Sequence, residues 1–160
     1  MGMTAFTKPR RLTTDDDVTG FDCGLPVVNN WLQRHLKDAS KQHTAVAYGT
    51  FADGSLAGYY TLSAYSIAHD DANGWLKRNS PDPVPVVLLG MLGVDMRYQT
   101  MHLGSQLLRE ATLRACAAAE IIGARALLVE PAGVKASEFY ARYGFRPIGT
   151  GDRMFLPLSC

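Results

Sequence analysis

The chain has 160 residues, of which 47% are hydrophobic and 19% charged, and its formal net charge is +1 at pH 7. This length suits one domain built around one core, which we expect to span residues 1–160. No apolar run is long enough to cross a bilayer, and the N-terminus lacks the apolar stretch of a signal peptide, so we predict a cytoplasmic protein without a membrane partner. The near-zero charge excludes the clear basic excess of most nucleic-acid-binding proteins, so any contact with RNA must depend on a local patch.

The first half of the chain predicts a helix followed by a hairpin. Pro26 begins a helical pattern that continues through 27–41, with proline at the favoured first position. Residues 44–51 and 56–67 are rich in β-forming residues, and the Ala-Asp-Gly-Ser turn between them predicts an antiparallel pair. The polar segment 68–85 contains several prolines, and we interpret it as a surface excursion because the core pattern resumes directly after it.

The second half alternates strands and helices. Residues 84–95 form a near-continuous apolar run, which suits a strand buried on both faces. Small and apolar residues recur at helical spacing through 104–122, and Gly123 is a good terminator. The remaining predicted elements are a strand at 125–130, a helix at 136–143 and last strands at 145–148 and 154–158. This order predicts an α/β fold with a mixed central sheet flanked by helices.

Cysteine usage predicts neither a metal site nor a disulfide framework. Cys23, Cys116 and Cys160 have no metal-ligand spacing, and their odd number argues against systematic pairing. We expect Cys116 to be a small core residue on a helix and Cys160 to lie at a frayed terminus.

One strand–loop–helix unit predicts an anion site. The buried strand ends with Met91-Leu92-Gly93-Val94-Asp95, and the helix opens after the loop that begins at Gln99. Backbone N–H groups at a helix start are free and point outward, and the helix dipole adds to them, so the place is well matched to a pyrophosphate. Many such units bind nothing, so this pattern alone does not establish a ligand.

A second segment makes the pattern specific. Phe139-Tyr140-Ala141-Arg142-Tyr143-Gly144-Phe145, with Ala136 before it, follows the loop after one helix and one strand. The two segments resemble the coenzyme A loop and the last-helix signature of the GNAT N-acetyltransferases. The resemblance implies the GNAT fold and acetyl-CoA as co-substrate, with no metal. It also implies cofactor contacts from the strand end and the loop, namely Leu92, Gly93, Val94, Gln99, Thr100, Met101, His102, Leu103, Gly104 and Ser105.

A narrower resemblance covers nearly the whole chain. The segments 21–24, 31–32, 57–63 and 81–86 are similar to those of the TacT-type toxins, the GNAT halves of type II toxin–antitoxin modules. The resemblance implies transfer of an acetyl group to the α-amine of an amino acid charged on tRNA, which blocks translation. It also implies a DNA-binding antitoxin of the ribbon-helix-helix kind and a homodimer.

The sequence departs from these toxins in the strand and in the loop. Met91 replaces an arginine, Gly93 replaces an alanine, and His102 stands where the loop usually has glycine. Glycine is favoured where the backbone comes close to phosphate or takes a positive φ. A histidine there either crowds the cofactor or offers a cationic hydrogen bond when protonated.

Tyr140 is the candidate general acid, because the resemblance places it near the acetyl-CoA sulfur and a phenol is protonated at neutral pH. Tyr143 and Tyr60 are rivals that we interpret as packing residues. The backbone N–H groups of Leu92 and Val94 are candidates to hold the pantetheine arm and polarise the thioester carbonyl. No strong general base is evident, and Glu130 is either the best carboxylate or a solvated strand end.

Candidate tRNA contacts form two groups, each of which has a plain alternative. The charged side chains that could meet phosphates are equally well explained as solvated surface; they are Arg34, Lys37, Lys41, Lys77 and Arg78. Two other functions stay open at this point. One is acetylation of a small amine or a protein N-terminus, and the other is a catalytically weak GNAT domain that acts by binding its antitoxin.

Overall fold

The computed structural model describes residues 4–159. Two compact units divide the chain: a first unit of residues up to Leu62 together with Met91–Ala111, and a second unit of Ser63–Gly90 together with residues from Thr112 onward. In chain order the helices and strands of the described residues are β1 (Arg10–Arg11), α1 (Pro26–Arg34), α2 (Leu36–Gln42), β2 (Val46–Ala52), β3 (Ser55–Ile67), α3 (Gly74–Lys77), β4 (Val84–Val94), α4 (Leu103–Ile122), β5 (Ala126–Val129), α5 (Val134–Arg142), β6 (Arg146–Pro147) and β7 (Met154–Pro157). None of the helices in this described part is both long and apolar enough to cross a membrane.

The first unit contains the predicted hairpin. Strands β2 and β3 pair antiparallel, with Tyr48 opposite Tyr60, and β1 adds to the outer edge of β2. Asp53 and Gly54 both have positive φ, at 51° and 80°, which is the backbone that a two-residue hairpin turn with the correct twist requires. Strand β4 follows β3 in the order β1-β2-β3-β4. The hairpin prediction is therefore confirmed, with boundaries within two residues of those expected.

The predicted single helix at 27–41 is wrong. The backbone leaves the helical conformation at His35, with φ −121° and ψ −18°, so α1 ends at Arg34 and α2 begins at Leu36. Both helices nevertheless bury one stripe, from Val28 to Leu36, against the hairpin. The apolar cluster of the first unit consists of Leu12, Phe21, Cys23, Val28, Leu32, Leu36, Ala47, Leu56 and Tyr59.

The second unit contains the mixed part of the sheet. Strand β5 runs parallel to β4, with Val87 opposite Leu127, whereas β7 runs antiparallel to both β5 and β6. The strand order is β4-β5-β7-β6, so the prediction of a mixed sheet is confirmed. Its apolar cluster includes Ile67, Leu76, Val84, Val86, Ala126, Leu128, Ile148 and Phe155.

The cysteines partly contradict the sequence-based expectation. Cys23 is free and buried in the first unit. Cys116 lies on α4 as expected, but it is half-buried and disulfide-bonded, so the expectation that it is simply a small core residue is wrong. Cys160 lies outside the described residues.

Candidate functional site

The buried carboxylate of Asp95 organises the loop after β4. Asp95 is 3% exposed and accepts hydrogen bonds from the backbone N–H of Arg97 (3.0 Å), from the Arg97 guanidinium (2.9 Å) and from the backbone N–H of Asp22 (3.2 Å). Burial raises the pKa of Asp95, but these hydrogen bonds outweigh it, so the pKa lies below its usual value. A permanently ionised Asp95 therefore ties the loop to the segment around Asp22.

The side chain of Gln99, the first residue of the predicted coenzyme A loop, is used inside the protein. Its Nε2 donates to the carbonyls of Cys23 (2.8 Å) and Val94 (2.9 Å). On the other side of that segment, the Asn29 Oδ1 accepts from the Cys23 N–H (2.9 Å) and the Asn29 Nδ2 donates to Asp22 (2.9 Å). Gln99 thus positions main chain, and its Nε2 is used by these two carbonyls.

Sequence reasoning missed Asp95, Asp22 and Asn29 as organising residues. Asp22 was noticed only as part of a family segment, and Asp95 only as a strand end. The signal for Asp95 was present, because an aspartate that directly follows a strand commonly accepts a hydrogen bond from a backbone N–H two residues on. Asp22 bonds to Asp95, and Asn29 bonds to Cys23 and Asp22. These hydrogen bonds join different elements of the fold, so no local sequence pattern reveals them.

Helix α4 begins within the segment predicted to be an anion site. Leu103 is its first residue, and a helix leaves its first backbone N–H groups without partners inside the helix. Leu103 is 2% exposed, whereas Gly104 and Ser105 are half-buried. The Met101 N–H donates to the Tyr98 carbonyl (3.2 Å) and is already used in a turn.

His102, directly before α4, has a φ of +60°. This is the left-handed conformation that glycine adopts without steric cost and other L-residues adopt rarely. Its carbonyl accepts from the Ser105 hydroxyl (2.9 Å) and from the Gln106 N–H (3.3 Å), so the residue is fixed in place as the start of the helix. The side chain is exposed.

The backbone of β4 beside the loop is closely approached from α1. A Cβ on Gly93 would lie 2.7 Å from Val28 Cγ1 and 3.3 Å from Cys23 Sγ, so any larger residue at this position would collide with Val28 unless the two segments shifted apart. Leu92 and Val94, the candidate backbone donors, flank Gly93 on the same strand. The Met91 N–H donates to the Thr61 hydroxyl (2.9 Å), and the Met91 side chain packs against the apolar cluster of the first unit.

Tyr140 is buried on α5 among aromatic rings. It is 8% exposed, and its ring lies 5.3 Å from that of Phe139 and 5.2 Å from that of Phe145. Burial raises the pKa of Tyr140 to about 12. The rival Tyr60 is fully buried and its hydroxyl donates to the Glu110 carboxylate, whereas Tyr143 is 47% exposed.

The candidate base and the candidate RNA contacts are all on the surface. Glu130 is exposed directly after β5. The exposed basic residues Arg34, Lys37 and Lys41 belong to the first unit, and the exposed pair Lys77 and Arg78 to the second. Among residues 4–159 there is no group of three or more His, Cys, Asp or Glu side chains that could hold a metal ion.

The segment that carries Lys77 and Arg78 is firmly anchored. The Arg125 guanidinium lies 3.9 Å from the centre of the Trp75 ring and donates to the carbonyls of Trp75 (2.7 Å) and Arg78 (3.0 Å). The Trp75 ring stacks on Phe155 at 6.2 Å. The predicted surface excursion is therefore held in the second unit by its contacts with Arg125 and Phe155.

Comparisons with known proteins agree on one family. Residues 12–145 match the family model described as acetyltransferase (GNAT) family. The chain is 41% identical to a tRNA-acetylating toxin of Mycobacterium tuberculosis, over 98% of this chain and 93% of that protein.

Solved structures agree with the family match. AtaT complexed with acetyl-methionyl-tRNAfMet is 28% identical with a TM-score of 0.85, and 96% of this chain and 95% of that one are covered. A tyrosine-to-phenylalanine mutant of AtaT, bound to the C-terminus of the antitoxin AtaR and acetyl-CoA, is 28% identical with a TM-score of 0.80, over 96% and 94% of the two chains. The predicted GNAT fold is confirmed.

Proposed function

Because the chain belongs to the acetyltransferase (GNAT) family, we propose that it is an N-acetyltransferase toxin that moves the acetyl group of acetyl-CoA to the α-amine of an amino acid charged on tRNA. The observation that carries the choice of acceptor is the similarity, along almost the whole chain, to a tRNA-acetylating toxin. Acetylation of that amine blocks translation.

The start of α4 fits the pyrophosphate of acetyl-CoA. The Met101 N–H and the Ser105 hydroxyl are used internally, so the donors left for phosphate oxygens are backbone N–H groups of the first helical residues, reinforced by the helix dipole. We assign this role to the backbone of His102, Leu103 and Gly104. The backbone N–H groups of Leu92 and Val94 are assigned to the pantetheine arm and the thioester carbonyl.

The proposed reaction needs an acid more than a base. An α-amino group titrates near about 7.7–8.0, against about 10.4 for a lysine amine, so a substantial fraction of the acceptor is neutral at cellular pH. The amine nitrogen attacks the acetyl carbon, the carbon–sulfur bond breaks, and the sulfur gains a proton as the nitrogen loses one. We assign the proton gained by the sulfur to Tyr140, whose phenol is protonated at neutral pH because burial raises its pKa to about 12. The nitrogen releases its proton to water, and water returns a proton to Tyr140.

The test of this proposal is turnover of Tyr140→Phe on purified aminoacyl-tRNA, which keeps the ring between Phe139 and Phe145 and removes only the hydroxyl. Turnover should fall by roughly 10²–10⁴-fold, the usual contribution of general acid–base catalysis. Tyr143→Phe, on the exposed side of the same segment, is the matched control and should retain activity. Near-normal turnover in a Tyr140→Phe protein whose thermal melt is unchanged would contradict the role.

The remaining assignments follow from the same proposal. We assign residues 1–160 to a single catalytic domain that acts in the cytoplasm, forms a homodimer and is neutralised by a ribbon-helix-helix antitoxin. Growth arrest on expression, reversed by a co-expressed antitoxin and absent for Tyr140→Phe, is the expected cellular result. If the protein acetylates free amino acids or protein N-termini and not charged tRNA, the proposed acceptor is wrong.

A further inference from the structure

An open groove of about 440 Å³ runs beside α1, α2 and the start of β2 in the first unit. This volume lies within the range of small-ligand sites. None of its lining residues belongs to the loop or the strand assigned to acetyl-CoA. The side chains along it are Trp31, His35, Asp38, Ala39, Gln42 and the adjoining pair Thr44–Ala45.

The groove has a rigid aromatic wall. Trp31 is half-buried, and its ring lies 6.1 Å from that of Tyr59 with only 25° between the two planes. Tyr59 is fully buried and its hydroxyl donates to the Val28 carbonyl, so the indole is supported by a buried, hydrogen-bonded ring. His35, in the break between α1 and α2, adds a second, exposed ring.

Three cations of α1 and α2 are close to groove-lining residues on the helix surface. Arg34, Lys37 and Lys41 are exposed; Arg34 lies three residues after the lining residue Trp31 on α1, and Lys41 lies three residues after the lining residue Asp38 on α2. Residues three or four apart are neighbours on a helix surface, and Lys37 is in the same way a neighbour of Lys41. The lining itself carries no cation and includes the Asp38 carboxylate, so the positive charge lies beside the groove and not within it. A ligand that matches this distribution has a flat, polar-edged group inside and negative charge outside.

We propose that the groove binds an unpaired nucleotide of the single-stranded 3′ end of tRNA, with its base against Trp31 and neighbouring phosphates at Arg34, Lys37 and Lys41. This inference rests on the proposed function. Unstacked RNA bases are commonly held on aromatic side chains, while polar groups such as Gln42 and Asp38 hydrogen-bond their edges. Exposed cations beside an aromatic platform are the usual complement to a single-stranded backbone.

Fluorescence tests the aromatic contact directly, because the chain has two tryptophans. In Trp75→Phe the only remaining indole is Trp31, and the stacking partner of Phe155 remains aromatic. Intact tRNA should quench this emission, and the same tRNA lacking its single-stranded 3′ end should not. Equal quenching by both RNAs, or quenching by an antitoxin peptide and by neither RNA, would overturn the proposal.

A binding cycle tests the site without disturbing the core. His35→Ala with Gln42→Ala keeps Trp31 and removes the second ring and one group that contacts the base edge, so it should weaken binding of intact tRNA by about 10-fold. The same variant and the native protein should bind truncated tRNA equally. Asn30→Ala, exposed on α1 and outside the groove, is the matched control and should behave as the native protein. Equal losses on intact and truncated tRNA would overturn the assignment.

Two further readouts separate this inference from its premise. The two groove substitutions leave Arg34, Lys37 and Lys41 in place, so the salt dependence of tRNA binding should not change, whereas loss of phosphate contacts would flatten it. If no charged tRNA is acetylated by the native protein, the proposed function fails. If acetylation is normal and the cycle shows no coupling between groove and 3′ end, only the groove assignment fails.

Discussion

Replacing His102 by glycine tests the structure of the cofactor loop at its most unusual residue. His102 has a φ of +60°, where an L-residue costs roughly 1–2 kcal/mol relative to the ordinary helical region. Glycine removes that cost but loses more backbone freedom on folding, about 0.5–1 kcal/mol. The difference predicts that His102→Gly leaves the free energy of unfolding unchanged or raises it by up to about 1.5 kcal/mol.

Thermal unfolding and calorimetry together measure the two consequences. A gain of 1 kcal/mol corresponds to roughly 2–4 °C in the midpoint for a chain of this size. Acetyl-CoA affinity should stay the same or increase, because the backbone that carries the phosphate donors is already in the conformation that glycine prefers. His102→Ala is the matched control, since it removes the imidazole while retaining the strained φ.

Two results would refute this reasoning. A marked loss of acetyl-CoA affinity in both the glycine and the alanine variants would show that the His102 ring itself binds the cofactor. A clear loss of stability in the glycine variant alone would show that the left-handed conformation is not a burden on the native loop. In either case the loop would depend on the histidine side chain, and not on the backbone around it.

Three further predictions follow from the same structure. Lys77→Glu with Arg78→Glu should weaken tRNA binding and reduce the slope of log affinity against log salt by about 1.8 if each residue meets one phosphate; an unchanged slope removes this pair from the RNA interface. Gly93→Ala should destabilise the fold by about 1–3 kcal/mol through its contact with Val28, and Val28→Ala in the same chain should recover part of that loss; purely additive effects would contradict the contact. The pKa of Tyr140 is about 12 in the folded protein and about 10 in the unfolded chain. Its contribution to the free energy of unfolding is therefore complete below pH 10 and is lost as the pH rises toward 12. Urea titrations should show up to about 3 kcal/mol of this loss in the native protein and none of it in Tyr140→Phe.

The fold was largely accessible from the sequence where one pattern dominated. The apolar run of β4 and the small-residue stripe of α4 have boundaries within one residue of the prediction. The break at His35 was not accessible, because Val28, Leu32, Leu36 and Ala39 keep a helical spacing of three and four residues across it. The periodicity shows which face of the segment is buried, and that face continues past His35 although the helical conformation of the backbone is interrupted there.

The candidate site was accessible only in part, for a similar reason. The position of the loop followed from a strand, a turn and a helix in order, and the positive φ at His102 agrees with the glycine expected there. The hydrogen bonds of the Gln99 side chain could not be predicted, because the Cys23 and Val94 carbonyls that accept them come together only when the chain is folded. The roles of the groove beside α2 and of Tyr140 remain predictions that the experiments above address.

The Arg125 clamp on Trp75 and Arg78 has a consequence for how the second unit opens. The Arg78 N–H donates to the Gly74 carbonyl, the Arg78 carbonyl accepts from the Arg125 guanidinium, and the fully buried Leu76 belongs to the apolar cluster of the second unit. Amide hydrogen exchange should accordingly find Leu76 and Arg78 protected to a degree comparable with Phe155, and proteases should spare the stretch until the unit unfolds as a whole. We therefore expect the segment that carries Lys77 and Arg78 to open only through sub-global unfolding.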